Sequence, residues 1–176
     1  MVHRITTGVA MVSLSTGFSG LTSAQLDLVK HWRHCCGQHH LPMRNQLDPG
    51  AIRAHLSGIS LVEMGSDGLA RFRLVGSGVR QIFGREMRGL FLSELEETEC
   101  EVWSRGLSRA LEMQQPIGGL IEGDGESHAW LRLPFQCERL GSVILCHDAL
   151  IPNIRLRLDP IRQSHKSPSA LRNLAA

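Results

Sequence analysis

Residues 70–95, ARFRLVGSGVRQIFGREMRGLFLSEL, constrain the fold more than any other part of this chain. Phe72 and Leu74 alternate with Arg71 and Arg73, the period-2 signature of a strand with one face buried. Gly76-Ser77-Gly78 then breaks the strand, Ser77 is placed to cap a short helix over 78–83, and Gly84 ends it. A strand that turns through glycines into one helical turn and a second glycine stop makes a curved wall with a lid. The segment carries no paired carboxylates and no ligand set at metal spacing. That shape suits binding better than chemistry.

The flanking sequence supplies the other layers. Leu21-Thr22-Ser23-Ala24-Gln25-Leu26 is a helix start in which Thr22 caps, Gln25 reaches back, and Leu21 staples to Leu26. The helix is expected to run to Cys36 and stop at Gly37, with Leu28, Val29, Trp32, Cys35 and Cys36 as its apolar stripe. Asp48-Pro49 predicts a second helix ending near Leu56. Strands are expected at 59–64 and 70–75, joined by the turn residues Gly65-Ser66-Asp67-Gly68. Two acidic starts at Ser93 and Thr98 lead into one long helix over 98–114, stopped by Pro116, and three strands follow at 117–122, 126–135 and 141–150. Hairpins on both sides of a helical insert imply an α+β fold: a five-stranded antiparallel sheet with helices packed on one face, plus the N-terminal helix.

A set of motifs runs through these elements: His31-Trp32-Arg33 in the first helix, then Leu41-Pro42, Arg44 and Leu47-Asp48-Pro49, then Phe72-Arg73-Leu74-Val75-Gly76 and Gly84-Arg85-Glu86-Met87-Arg88-Gly89. In this combination the chain resembles a bacterial single-domain PAS-type family, whose members open with a Trp-Arg helix and an LP-x-R…DP loop and continue with FRxRLVG…GRxxxG. The resemblance covers about residues 26–150. It implies a PAS-like fold, a cavity between sheet and helices, and a sensory or interaction role in the bacterial cytosol. It implies no particular ligand. By analogy with such relatives, the first helix, with Leu26 exposed beside its stripe, is the expected homodimer element.

Bulk properties bound the reading. With 176 residues, 42% of them apolar, the chain is long enough to bury roughly 70% of its unfolded surface in one domain. A formal charge of +2 argues against nucleic acid as a partner. From residue 151 onward five cations (Arg155, Arg157, Arg162, Lys166, Arg172) face Asp159 alone, a net +4 that leaves −2 for the rest. The domain organisation expected is therefore a flexible leader over 1–20, a PAS-like domain over 21–150, and a basic, disordered tail over 151–176. Five cysteines, two of them adjacent, suit a reducing cytoplasm and not a disulfide framework. The N-terminal run is broken by Ser13, Ser15, Thr16 and Gly17 and makes a poor signal peptide and no membrane span.

Candidate chemistry is sparse. His31, Cys35, Cys36 and His40 fall one helical turn apart in pairs and could gather a metal, but Cys35 and Cys36 already belong to the apolar stripe and Gly37 should end the helix before His40. Packing is the favoured account. Gly76-Ser77-Gly78 lacks the third glycine of a dinucleotide turn, since position 81 is Gln81. The long helix carries no histidine for haem, His55, His128 and His147 stand isolated, and Cys100 lies between two glutamates that would raise its pKa. The glutamate run from Glu94 to Glu101 is explained by the helix macrodipole. No cofactor and no enzymatic activity are expected. The reading is a regulatory sensor that binds a small molecule or a signalling protein, with Phe72, Leu74, Phe83, Leu131 and Leu133 as the cavity-lining candidates. The alternatives are a metal- or haem-binding sensor built on residues 31–40, and an adaptor that works through its surface alone.

Overall fold

The computed structural model describes residues 20–138 and 141–153. The leader and tail expected from the sequence lie outside these residues, except for Gly20 and 151–153. Five strands, β1 (Ile59–Met64), β2 (Ala70–Val75), β3 (Ile117–Glu122), β4 (Glu126–Cys137) and β5 (Gly141–Pro152), form one antiparallel sheet in the order β2-β1-β5-β4-β3. The sheet is the five-stranded α+β arrangement expected, with β4 and β5 each extending two residues past their expected ends.

Strand β5 divides the core because its side chains alternate across the sheet. Val143 and Leu145 point to one face, where they join Ile59, Leu61, Leu131, Leu133 and Phe135 beneath Leu28, Val29, Trp32 and Cys36 of α1 (Ser23–Cys36). Ile144 and Cys146 point to the other, beneath α2 (Ser77–Phe83), α3 (Glu97–Ser104) and α4 (Leu107–Met113), with Val62, Phe72, Val79, Met87, Trp103 and Leu107. The helical insert therefore sits on one face and the N-terminal helix on the opposite one.

The start of α1 follows its sequence: Thr22 Oγ1 accepts from the Gln25 amide at 3.1 Å, and Gln25 Oε1 accepts from the Leu21 amide at 2.9 Å. Trp32 is 5% exposed and its indole N–H donates to the Pro134 carbonyl at 2.7 Å. Leu26, expected to stand exposed, is half-buried, and the outward face of α1 carries Asp27, Lys30, Arg33 and His34. The stripe is consumed by the sheet.

Three local expectations are corrected. The helix expected after Pro49 is a pair of turns followed by a 3-10 helix over Arg53–Gly58, because Gly50 is a weak helix former and the bonds close at i→i+3, as from the His55 amide to the Ile52 carbonyl. Ser77 does not cap α2; Gly76 holds that position, its amide bonded to the Ile59 carbonyl at 2.8 Å. Its α-carbon is packed so closely on the backbone of Leu56 and Ser57 that a side chain there has no room. The single helix over 98–114 is two helices, broken at Arg105-Gly106. Gly106 has φ of 77°, and a β-carbon there would lie 2.5 Å from the Trp130 ring. The break lets the chain descend onto Trp130, which no continuous helix permits.

The PAS-type motif residues are mostly turn builders. Gly84 closes α2 in the left-handed region, Glu86 accepts from the amides of Met87 and Arg88, Arg85 pairs with Glu99 at 2.6 Å, and Arg71 Nε donates to the Gly89 carbonyl. Replacing Trp32 with alanine should cost about 3–5 kcal/mol, since a large buried side chain leaves a cavity behind. Trp32→Phe should cost only about 1–2 kcal/mol, the share of a carbonyl left unpaired. Denaturant melts of the two variants separate the packing and hydrogen-bond contributions.

Candidate functional site

Strand parity places a polar row in the core beneath the helical insert. On β4, His128, Trp130 and Arg132 share one face at i, i+2, i+4; on β5, Cys146 and Asp148 lie opposite Arg132 and Trp130. On β1, Ser60 lies opposite Cys146. All of these are buried.

Asp148 and Arg132 are fully inaccessible, and Arg132 Nη1 reaches both carboxylate oxygens at 3.1 Å. Nη1 also donates to the Leu131 carbonyl at 2.9 Å, and Nε donates to the Arg105 carbonyl at 3.2 Å. His128 Nε2 meets Asp148 Oδ1 at 2.9 Å. The guanidinium carbon stands 5.6 Å from the Trp103 ring and 5.5 Å from the Trp130 ring, so the cation is within cation–π range of both indoles. Trp130 fits there because β3 offers Gly119 and the helix junction offers Gly106.

Burial alone would push the Asp148 carboxyl up. The Arg132 guanidinium and the His128 hydrogen bond outweigh it and hold the pKa below the ordinary value. A carboxylate only accepts, so the proton in the His128–Asp148 bond sits on Nε2. Burial likewise pulls Arg132 down, and Asp148 more than restores it. Arg132 Nη2 remains without a hydrogen-bond partner, and Ser60 Oγ has none but the weak approach of the Cys146 thiol. Cys146, between them, is pushed up to about 12 by burial, with Arg132 opposing, and is no nucleophile.

The five cavity candidates are not brought together. Phe72 and Phe83 lie on this face against Trp103, with ring centroids 5.9 and 4.2 Å from it. Leu131 and Leu133 have the opposite parity and belong to the core under α1. Leu74 pairs with Leu61 whereas Phe72 pairs with Val62, because a bulge at Arg73 turns the strand; Leu74 ends on the α1 side, 42% exposed. Sequence reasoning passed over Ser60, Trp103, Trp130, Arg132 and Asp148, and it read His128 as isolated where the structure pairs it with Asp148. The signal for His128, Trp130 and Arg132 was their i, i+2, i+4 recurrence along β4; Ser60, Trp103 and Asp148 lie on other elements and carried no such signal.

In the 31–40 cluster, His31 Nε2 approaches Cys35 Sγ at 3.5 Å, while the thiols face the carbonyls of Gln46 and His40. Burial raises both thiol pKa values, with Asp48 adding to it at Cys35 and the neighbouring Cys35 at Cys36, and burial lowers that of His31. Among the described residues no three His, Cys, Asp or Glu gather as metal ligands.

An open groove of about 470 Å³ runs along β5 past its last pairing with β1, lined by His55, Ser57, Gln81, Ile82, His147 and Leu150 among others. His147 sits at its base. Burial, opposed by Asp148 and reinforced by His55, Arg132 and His128, lowers its pKa to about 4.

A five-stranded antiparallel sheet with a helical insert over one face defines a PAS-like α+β domain. Residues 21–129 match the family model described as a PAS domain, and the chain belongs to that family. Membership places it among sensory and regulatory modules. No curated protein matches the chain. Among the described residues no helix is long and apolar enough to cross a membrane.

Asp148→Asn should destabilise by about 3–5 kcal/mol, because it strands a buried guanidinium. Acid should act through two groups. His147 folds neutral, so its contribution is complete above the unfolded pKa of 6.5 and drains as pH falls towards about 4, by roughly 3 kcal/mol. The depressed Asp148 contributes fully above its ordinary value of 3.8 and loses that contribution below it. Denaturant melts from pH 7 to 4 should show a slope that His147→Gln removes.

Proposed function

We propose that this chain is a non-enzymatic sensor in a bacterial cytoplasmic signalling system, and that its input is a small molecule taken up between the helical insert and the sheet. The observation that carries this reading is Arg132. It ties β4 to Asp148 on β5, bonds the Arg105 carbonyl at the α3–α4 junction, and keeps a buried, unpartnered N–H. A ligand that engages that N–H changes the balance of forces at the helix junction, which is how an occupied interior becomes a surface signal. The family match ends at residue 129, before Arg132 and Asp148, so this part of the reading rests on geometry. Five free thiols, Cys35 and Cys36 adjacent and unbridged, fit a reducing compartment.

A second reading is a protein partner seated in the groove along β5. It is favoured by Leu56 and Leu150, 38% and 46% exposed, with Leu150 in the groove lining itself.

Protein purified from its native host and denatured should release a small molecule in near-stoichiometric amount, detected by mass spectrometry. Arg132→Lys should carry less than about a tenth as much. A wild-type protein that releases nothing, and whose melting temperature no metabolite fraction of the host raises, would sink the small-molecule reading.

A further inference from the structure

His147 is 4% exposed, lines the open groove along β5, and has no hydrogen bond to its imidazole among the described residues. Its Nδ1 is enclosed without a partner. Its Nε2 stands at the Gly58 wall of the groove, 3.0 Å from where a β-carbon on Gly58 would lie. Burial keeps the ring neutral, so it carries one N–H and one lone pair. An enclosed N–H is harder to leave unpaired than an enclosed lone pair, which assigns the proton to Nε2. The groove therefore holds a donor with nothing to donate to.

The rest of the lining is uncharged where a ligand would touch it. Among the described residues no Lys, Arg or Glu lines the groove, and Asp148 does so with a carboxylate that is fully inaccessible and held by Arg132 and His128. A carboxylate or phosphate would leave water for a wall with no cation to receive it, and an ammonium for a wall with no accessible anion. Leu150, 46% exposed, and the half-buried Ile82 give the groove an apolar side. Its volume of about 470 Å³ is that of a small-molecule site.

We propose that this groove binds a small, uncharged, largely apolar molecule whose carbonyl oxygen accepts from His147 Nε2 and whose body lies against Leu150 and Ile82. This site is separate from the interior one at Arg132, and it sets a small molecule against a protein partner as the occupant of the groove. Because β5 has a strand on its β4 side alone over 148–152, an extended peptide is the rival.

Four probes separate the possibilities: acetophenone, with a carbonyl; α-methylstyrene, the same shape with a methylene in place of the oxygen; benzoate, with a charge; and acetyl-leucine-N-methylamide, an extended chain. Methyl resonances of Ile82 and Leu150 report the location. The wild-type protein should bind acetophenone at least tenfold more tightly than each of the other three, with both residues shifting. His147→Leu, a buried apolar substitute, should erase the preference over α-methylstyrene, and His147→Gln, which restores an N–H, should recover it. Leu150→Trp, at an exposed position, should weaken acetophenone at least tenfold in a protein whose spectrum is folded. Equal binding of acetophenone and α-methylstyrene to the wild type would overturn His147 as the donor. Tighter binding of benzoate would overturn the uncharged class. Tighter binding of the leucine derivative at the same methyl groups would overturn the small molecule in favour of the protein partner. No shift of Ile82 or Leu150 with any probe would overturn the site altogether while leaving the interior reading at Arg132 untouched.

Discussion

The Arg132–Asp148 pair joins three parts of the molecule that hydrophobic packing alone would leave free to slide. One end fixes neighbouring strands in the middle of the sheet, and the other reaches the carbonyl of Arg105, where α3 gives way to α4. Burying two ions is costly, and an apolar pair of similar volume would often stabilise a fold as well or better. What an apolar pair lacks is direction. A guanidinium hydrogen-bonded to both Asp148 and the Arg105 carbonyl specifies where the helix junction sits, and two indoles lie within cation–π range of it. The stacking also explains why the junction needs glycine at 106: Trp130 occupies the space a side chain would take.

That constraint divides the core into two parts of different character. Beneath α1 the side chains are almost entirely aliphatic and aromatic, closed by the Trp32–Pro134 hydrogen bond. Beneath α2, α3 and α4 the packing is interrupted by a row of buried polar side chains that includes the Arg132–Asp148 ion pair, while each layer holds buried atoms without a partner, Arg132 Nη2 here and Gln25 Nε2 and His147 Nδ1 on the α1 side. A structure that wanted only stability would not place Ser60, Arg132 and Asp148 there. Unsatisfied polar groups in a core mark strain or an unmet partner.

The motif residues that carry the family resemblance play a supporting part. Gly76, Gly84, Arg85, Glu86 and Gly89 set the turns around α2 and the entry to α3. They explain why the family is recognisable, while the buried polar row lies elsewhere, chiefly on β4 and β5.

The sequence by itself determined the strands, their hairpin order and the face of α1, because these depend on local periodicity and on turn and cap residues whose preferences are short-ranged. Thr22, Gln25, Gly84 and the alternation around Phe72 did not need the rest of the molecule to be understood. Tertiary structure alone decided which face of each strand met which helix. The bulge at Arg73 moved Leu74 to the far side, and the parity of β4 assigned Leu131 and Leu133 to α1 while giving His128, Trp130 and Arg132 to the helical insert. It decided the break at Gly106 too, since the reason lies 24 positions along the chain at Trp130. Helix continuity and side-chain polarity are local properties. The pairing of Arg132 with Asp148 is a contact across two strands, and only the register of the finished sheet brings such groups within reach.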